Sequence, residues 1–273
     1  SYPVFAVKKL CKDYGEEKAE KIMAQDGERT TIRFNKNIDG EKYLEERRWN
    51  FEKTPFDNAF FVKGFKRDED YDKGVYTFQS VGSVAICDIV NGGNKLLDAC
   101  AAPGGKTVNL ADKFDKVTAF ELHEHRAELI REYAERMQKN NVTTVCRDSS
   151  VYDESYAEKF DVVLCDVPCS GYGVVKDNPD IKLRRTEQDI AELNKIQSEI
   201  LETCSKYVKK GGYIYYSTCS VFKDENERIC LDFLKNNENF APCGINSKLP
   251  CEKTAVGVSF FPDISFGAGF YVC

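Results

Sequence analysis

Among 273 residues there are two histidines, two methionines and one tryptophan, and no excess of basic charge: the net charge is −6. The two histidines, His123 and His125, sit on alternate positions, and no paired CxxC occurs. Metal-ligand spacing is therefore missing, and no metal is expected. No run approaches the ~18 uninterrupted apolar residues of a membrane helix, so no membrane association is expected. The opening, Ser1-Tyr2-Pro3-Val4-Phe5-Ala6-Val7-Lys8-Lys9, lacks the charged-then-apolar order of a signal peptide. It also lacks Met, as a processed or truncated chain would. Neither the dinucleotide fingerprint GxGxxG nor the Walker lysine motif is present. No internal repeat or low-complexity segment is evident. The acidic total weighs against a nucleic-acid partner, although local field matters more than net charge.

Twelve cysteines are present, spaced unlike a disulfide framework. Cys87, Cys165 and Cys230 lie inside apolar runs, where a free thiol behaves as a small hydrophobe. A reducing, cytoplasmic protein is expected. Hydrophobic residues make up 42% of the chain, enough for a substantial core. Basic residues cluster at Lys8, Lys9 and Lys12, at Arg47 and Arg48, at Lys63, Lys66 and Arg67, and at Lys182, Arg184 and Arg185. Solvated faces carry such clusters too.

Two textures divide the chain. Residues 1–75 read as a small α+β unit. Phe5 to about Met23 has helical spacing, Thr30–Phe34 is β-rich, Glu41–Arg48 is a charged helix, and Ala59–Val62 is a strand. Residues 64–74 form a charged linker. From residue 76 strands and helices alternate: strands at Lys95–Ala99, Lys116–Leu122, Thr143–Arg147, Phe160–Asp166 and Tyr213–Ser217, with helices from Thr107, over about 126–139 and over about 190–208. Lys209-Lys210-Gly211-Gly212 reads as a helix stop, basic residues followed by glycine. The alternation implies an α/β fold, a sheet with helices on both faces.

Chemistry collects at five strand ends. Cys100-Ala101-Ala102-Pro103-Gly104-Gly105-Lys106 follows the first strand. Glycines there let a ligand approach the backbone, and a helix amino terminus favours an anionic group. Alone, this is also an ordinary tight turn. Glu121 ends the second strand, where an acid can accept ribose hydroxyls. Asp148 ends the third, within reach of an adenine amino group. Asp166-Val167-Pro168-Cys169-Ser170-Gly171 and Ser217-Thr218-Cys219-Ser220 each follow an apolar run and stand 50 residues apart (219 − 169). Two thiols at the carboxyl ends of parallel strands imply covalent chemistry in one cleft.

These segments, in order, resemble the RNA cytosine-5 methyltransferases of the NOL1/NOP2/Sun family, closest to the bacterial RsmB (Sun) type that acts on small-subunit ribosomal RNA. Pro179-Asp180-Ile181-Lys182-Leu183-Arg184-Arg185, Gln197-Ser198-Glu199-Ile200-Leu201 and Glu225-Asn226-Glu227 extend the match, which covers roughly residues 75–240. The resemblance implies a Rossmann-like S-adenosylmethionine-dependent methyltransferase domain over 76–273, preceded by an RNA-contacting extension over 1–75. It implies S-adenosylmethionine held by Cys100, Ala101, Ala102, Pro103, Gly104, Gly105, Lys106, Glu121, Asp148 and Asp166. It also implies addition of a thiolate to carbon 6 of cytosine, methyl transfer to carbon 5 and loss of the carbon 5 proton. DNA enzymes use the Pro-Cys cysteine, which would nominate Cys169; the RNA family uses the Thr-Cys cysteine, Cys219. The wider match assigns Cys219 as nucleophile, Cys169 to product release, Asp166 to the cytosine edge, and Lys106 to orienting the base or lowering a thiol pKa. Ala268 stands where the family's closing strand carries Asp. The expected substrate is 16S ribosomal RNA. Transfer RNA, or a non-catalytic role as an RNA-binding ribosome-assembly factor, is the alternative, and a monomer is expected.

Overall fold

The computed structural model describes residues 2–273. It begins with two helices, α1 (Val4–Tyr14) and α2 (Glu16–Ala24). Gly15, at φ 81°, breaks between them what the apolar spacing alone reads as one helix. Then come β1 (Thr31–Phe34), α3 (Gly40–Glu46), β2 (Phe51–Lys53), β3 (Ala59–Val62), α4 (Glu69–Asp72) and β4 (Tyr76–Phe78). Next are α5 (Val81–Ile89), β5 (Gly93–Asp98), α6 (Gly105–Leu110), β6 (Phe114–Glu121), α7 (Glu124–Arg136), β7 (Val142–Cys146) and β8 (Phe160–Asp166). The rest is α8 (Ile181–Arg184), α9 (Glu187–Cys204), β9 (Val208–Thr218), α10 (Glu227–Asn236), β10 (Glu252–Lys253), β11 (Val258–Phe260) and β12 (Phe270–Val272).

Two sheets result, ordered β2-β3-β1-β4 and β10-β11-β12-β9-β8-β5-β6-β7. In the larger sheet β9, β8, β5, β6 and β7 are parallel, and β10–β12 close one edge antiparallel. The order reverses between β5 and β8, the place where open α/β sheets bind ligands. The central run Val162-Val163-Leu164-Cys165 of β8 is apolar without alternation because both its faces are covered. In β8, Val162 and Leu164 face the cluster formed with α5 (Val84, Ala85), while Val163 and Cys165 face α9 (Ile200, Leu201, Cys204). Leu96 and Leu97 of β5 divide the same way.

The small sheet buries Ile32, Phe34, Phe60 and Tyr76 with Leu44 of α3 on one side. Its other side lies on the large domain: Phe61 joins the α5 cluster, and the Arg33 Nε donates to Gln79 Oε1 at 2.6 Å. Asn35 and Thr77 bond to α7 or the residues just after it, through Met137 O (3.0 Å) and Tyr133 Oη (2.6 Å).

Three expectations change. The small sheet takes its last strand, β4, from residues 76–78, past the expected division at 75, because β4 completes hydrogen bonding along β1. The helices α1 and α2 do not join the aromatic cluster of that sheet. Ala6, Leu10, Ala19 and Ile22 pack with Tyr172, Val221, Phe222 and Phe261 beside the two cysteine segments, where their apolar stripes find matching surface. Residues 209–212 are not a helix stop: α9 ends at Cys204, and these residues lie inside β9, with Lys209 paired to Asp161 at 2.7 Å. In the pairing register these four residues form a bulge between the pairs Phe160–Val208 and Val162–Tyr213, with Gly211 at φ 75°.

All twelve cysteines are free thiols. Cys87, Cys165 and Cys230 are buried, as the apolar runs around them imply. Among the described residues, no helix is long and apolar enough to cross a membrane.

Leu97 is wholly buried where β5 meets α9 and the centre of the sheet. Leu97→Ala should cost about 2–5 kcal/mol, the transfer term plus the cavity. Urea unfolding followed by circular dichroism measures this, and a loss under about 1 kcal/mol would show that the site collapses freely.

Candidate active site at the carboxyl ends of β5, β6, β8 and β9

The register of the parallel strands brings the segments together. Asp98 of β5 stands opposite Leu164 of β8, and Asp166 of β8 stands opposite Ser217 of β9. The turns that follow therefore leave the sheet side by side. They carry Cys169 and Cys219, whose Sγ atoms are 3.3 Å apart. Lys106, from the first turn of α6, reaches the same place and donates from Nζ to Asp166 Oδ2 at 2.7 Å. The other oxygen, Asp166 Oδ1, accepts from Ser217 Oγ at 2.7 Å. Thus all four residues expected to do the chemistry lie in one cleft.

The electrostatics of the cleft are uneven. Burial opposes the charge of Lys106, but the Asp166 carboxylate more than offsets this and raises its pKa, with a smaller contribution from Cys219. Lys106 Nζ also lies 5.7 Å from the Phe270 ring centroid, a cation–π distance. The thiol of Cys169 is pushed up by its hydrogen bond with Cys219, by burial, and by the nearby charges of Cys219 and Glu225.

Beside the thiols lies the glycine turn. Ala101 N donates to Phe120 O, and Gly104 N to Ala101 O, which folds residues 99–104 back over the sheet end. Gly104 has φ 105°, and a Cβ there would come 3.3 Å from the Ile130 Cα, so glycine is required for backbone and for space. At Gly105 the Cβ position has no neighbour closer than 4.0 Å. Glu121 is 4% exposed; its Oε1 accepts from His123 N at 3.1 Å and lies 3.4 Å from Arg126. Cys100 packs against the α9 side of the sheet, with burial raising its thiol pKa. Asp148 is exposed just beyond β7, and its Oδ1 accepts from Ser150 N at 2.8 Å. His123 and His125 stack at 5.6 Å where β6 passes into α7. No group of three or more potential metal ligands occurs among the described residues.

Several residues here carry no expected role. Asp98 is buried, accepts from Thr107 Oγ1 at 2.7 Å through Oδ2, and leaves Oδ1 without a partner. Glu225, wholly buried, accepts from Ser170 N at 2.7 Å, from both Ser170 Oγ and Ser220 Oγ, and from Gln197 Nε2 at 3.1 Å. Gln79 donates to Gly105 O at 3.2 Å and so links Arg33 to the glycine turn. The sequence signals for the Glu225 group are the repeated Cys-Ser pair and the Gln197 and Glu225 segments that carry the resemblance. A cavity of about 1280 Å³ lies elsewhere, beside β9 and α10, lined by residues that include Tyr213, Phe233 and Phe240. None of the expected site residues lines it.

Asp98 makes stability depend on pH. Burial raises its pKa from 3.8 to about 7, against the hydrogen bond from Thr107. The folded protein therefore holds a proton that the unfolded chain releases. The contribution is present below about pH 4 and is lost as the pH rises towards 7. Asp98→Asn should remove this part of the slope. Thermal midpoints of both proteins from pH 4 to 7 test it, and parallel curves would mean that Asp98 is ionised throughout.

Comparison with known proteins agrees with this architecture. Residues 86–273 match the family described as 16S rRNA methyltransferase RsmB/F. Ribosomal RNA small subunit methyltransferase B of Photorhabdus laumondii is 35% identical over 207 residues, 74% of this chain and 47% of that protein. The Bacillus subtilis protein named probable ribosomal RNA small subunit methyltransferase B is 36% identical over 188 residues, 65% of this chain and 42% of that one. The chain spans about half the length of these curated relatives. The crystal structure of PH0851 superposes with a TM-score of 0.88 at 26% identity, covering 99% of this chain and 65% of that one. NSun6 from Pyrococcus horikoshii, at 17% identity and TM-score 0.79, covers 99% of this chain and 97% of its own, and shares the fold. The chain belongs to the RsmB/F family of S-adenosylmethionine-dependent 16S rRNA methyltransferases.

Proposed function

We propose that this protein methylates carbon 5 of cytosine in RNA, with small-subunit ribosomal RNA as the substrate, through a covalent adduct on Cys219. The observation that carries the reading is the pair of thiols 3.3 Å apart, beside the Lys106–Asp166 ion pair, at the carboxyl ends of β8 and β9. Membership in the family supports RNA as the substrate class.

The residues present fit the cofactor. The open position at Gly105 leaves room beside the glycine turn, and the buried Glu121 stands at the end of β6 for a diol. The orphan Oδ1 of Asp98 is a buried polar atom without a partner in the same turn region. Residues 100–106, Glu121 and Asp148 would hold S-adenosylmethionine, with Asp166 at the border of the cofactor and base sites. When bound, the cofactor supplies an electrophilic methyl group.

Carbon 5 of cytosine is a poor nucleophile. Addition of the Cys219 thiolate to carbon 6 makes the ring an enamine that is nucleophilic at carbon 5. In the adduct protonated at nitrogen 3, the Asp166 carboxylate accepts hydrogen bonds from that nitrogen and the exocyclic amine, and Lys106 holds Asp166 in place. After methyl transfer a base takes the carbon 5 proton, the bond to carbon 6 breaks, and Cys219 leaves as thiolate. Cys169 assists that departure. Lys182, Arg184 and Arg185 in and beside α8 would meet phosphates; α8 lies against the Cys169 turn, since a Cβ on Gly171 would come within 2.8 Å of Ile181. A local basic rim answers the acidic total.

Because the thiols do different steps, their substitutions should diverge. Cys219→Ala should abolish methyl transfer and form no adduct. Cys169→Ala should methylate, release poorly and accumulate a protein–RNA adduct, seen as a shifted band on a denaturing gel. The reverse pattern would assign the nucleophile to Cys169. Separated ribosomal and transfer RNA pools distinguish the substrates, and no methylation of either would favour a non-catalytic assembly factor.

Glu121→Ala and Asp148→Ala should each weaken S-adenosylmethionine binding by about 1–3 kcal/mol, the cost of an unpaired polar partner. Calorimetric titration checks this; unchanged affinity in both variants would remove these acids from the pocket.

A further inference from the structure

We propose that Glu225 is a positioning residue of the two-thiol centre: its buried carboxylate clamps the two Cys-Ser turns together and holds the proton on Cys169. The proposal rests on the reading of the site given above and adds a residue that acts through the cysteines without touching substrate.

The geometry is that of a clamp. Ser170 follows Cys169, and Ser220 follows Cys219. Both hydroxyls donate to Glu225 Oε2, and Ser170 N donates to Oε1 at 2.7 Å. Gln197 Nε2 adds a donor to Oε1 at 3.1 Å and also reaches Pro168 O at 2.9 Å, the residue before Cys169. Four donors converge on two oxygens. An ionised carboxylate, which only accepts, satisfies all of them. The clamp is held in turn: Tyr216 Oη donates to Glu225 O at 2.6 Å, and Asn226 Nδ2 donates to Ser220 O at 2.9 Å. Ser170, Gln197, Tyr216, Ser220, Glu225 and Asn226 are all buried, so the core of the network is dry and its geometry stiff. Cysteines one residue away from each clamped serine are thereby fixed in register with each other.

The charges complete the argument. The thiol pair lies between the anion of Glu225, whose field acts on Cys169, and the cation of Lys106, which gains from an anion at Cys219. A hydrogen bond between two sulfurs needs one donor and one acceptor. This polarity makes Cys169 the donor and Cys219 the acceptor. The hydrogen bond with Cys219, burial, the Cys219 charge and, behind them, the Glu225 charge all raise the Cys169 pKa. A protonated Cys169 can then stabilise the departing sulfur of Cys219 by a hydrogen bond, with no net proton transfer.

The test uses the full chain as wild type and Glu225→Gln, which keeps the shape and removes the charge. Each protein is alkylated with iodoacetamide across pH 6–10, and modification of Cys169 and Cys219 is read separately by peptide mass spectrometry. Glu225→Gln should move the Cys169 profile down by about one pH unit, a tenfold gain in thiolate, with a smaller change at Cys219. An unmoved Cys169 profile in a variant with wild-type melting overturns the proposal. If Glu225→Gln does not fold, the variant carrying Ser170→Ala and Ser220→Ala replaces it. Diamide takes two electrons and two protons from the thiol pair to join the sulfurs, and bridging of Cys169 to Cys219 should slow at least several-fold once the clamp is gone. Unchanged bridging overturns the proposal. These readouts need no RNA, so failure of the wild type to methylate RNA would refute the functional reading separately.

Discussion

The parallel pairing of β8 with β9 is the constraint on which the site depends. Because side chains alternate along a strand, a slip of one residue would turn Val163 and Cys165 away from α9 and exchange the faces of the sheet. The observed register sets Cys165 against Tyr216 and Asp166 against Ser217. It is fixed by burial on both faces. Once it is fixed, two turns 50 residues apart in sequence must emerge as neighbours, and their thiols meet at 3.3 Å. A register shift between Phe160 and Val162 absorbs the extra residues of β9 at the far end, away from the chemistry.

The segment before the large domain has two structural tasks. The four-stranded sheet lies against α5 and α7 and reaches the glycine turn through Arg33, Gln79 and Gly105. The helices α1 and α2 brace the other side of the cleft. Tyr14 Oη donates to Val221 O at 2.8 Å, just after the second cysteine turn, and Tyr2 and Phe5 pack on Tyr172 after the first. Both cysteine turns are thus held from outside by apolar packing and from inside by Glu225. A reactive thiol benefits from that rigidity, since a fixed sulfur needs no reorganisation to reach its target.

Much of the large domain was legible because its signals are local. Apolar runs bounded by glycine or acids marked β5, β6, β7, β8 and β9 to within a few residues, except at the start of β9. There Lys209–Gly212 carried a helix-end pattern, and only the pairs that flank them, Phe160 with Val208 and Val162 with Tyr213, draw them into the strand as a bulge. Gly15 was legible as a residue but not as a break, because a single glycine in an amphipathic stretch is tolerated or decisive according to its φ. The destination of α1 and α2 could not be read at all: an apolar stripe states that a helix will be covered, not by what.

At the site the same division holds. Residue types and their places at strand ends were in the sequence: the glycine turn, Glu121, Asp148, Asp166 and the two cysteines, each announced by turn residues after an apolar run. That Lys106 spans to Asp166, that Ser170, Ser220 and Gln197 converge on Glu225, and that Asp98 holds a proton near neutrality depended on contacts between segments far apart in the chain. Hydrogen bonds and burial are properties of pairs and surroundings. Periodicity and turn chemistry act within a few residues and so are written into the sequence, whereas burial, charge environment and the partner of a polar atom arise only when distant segments pack.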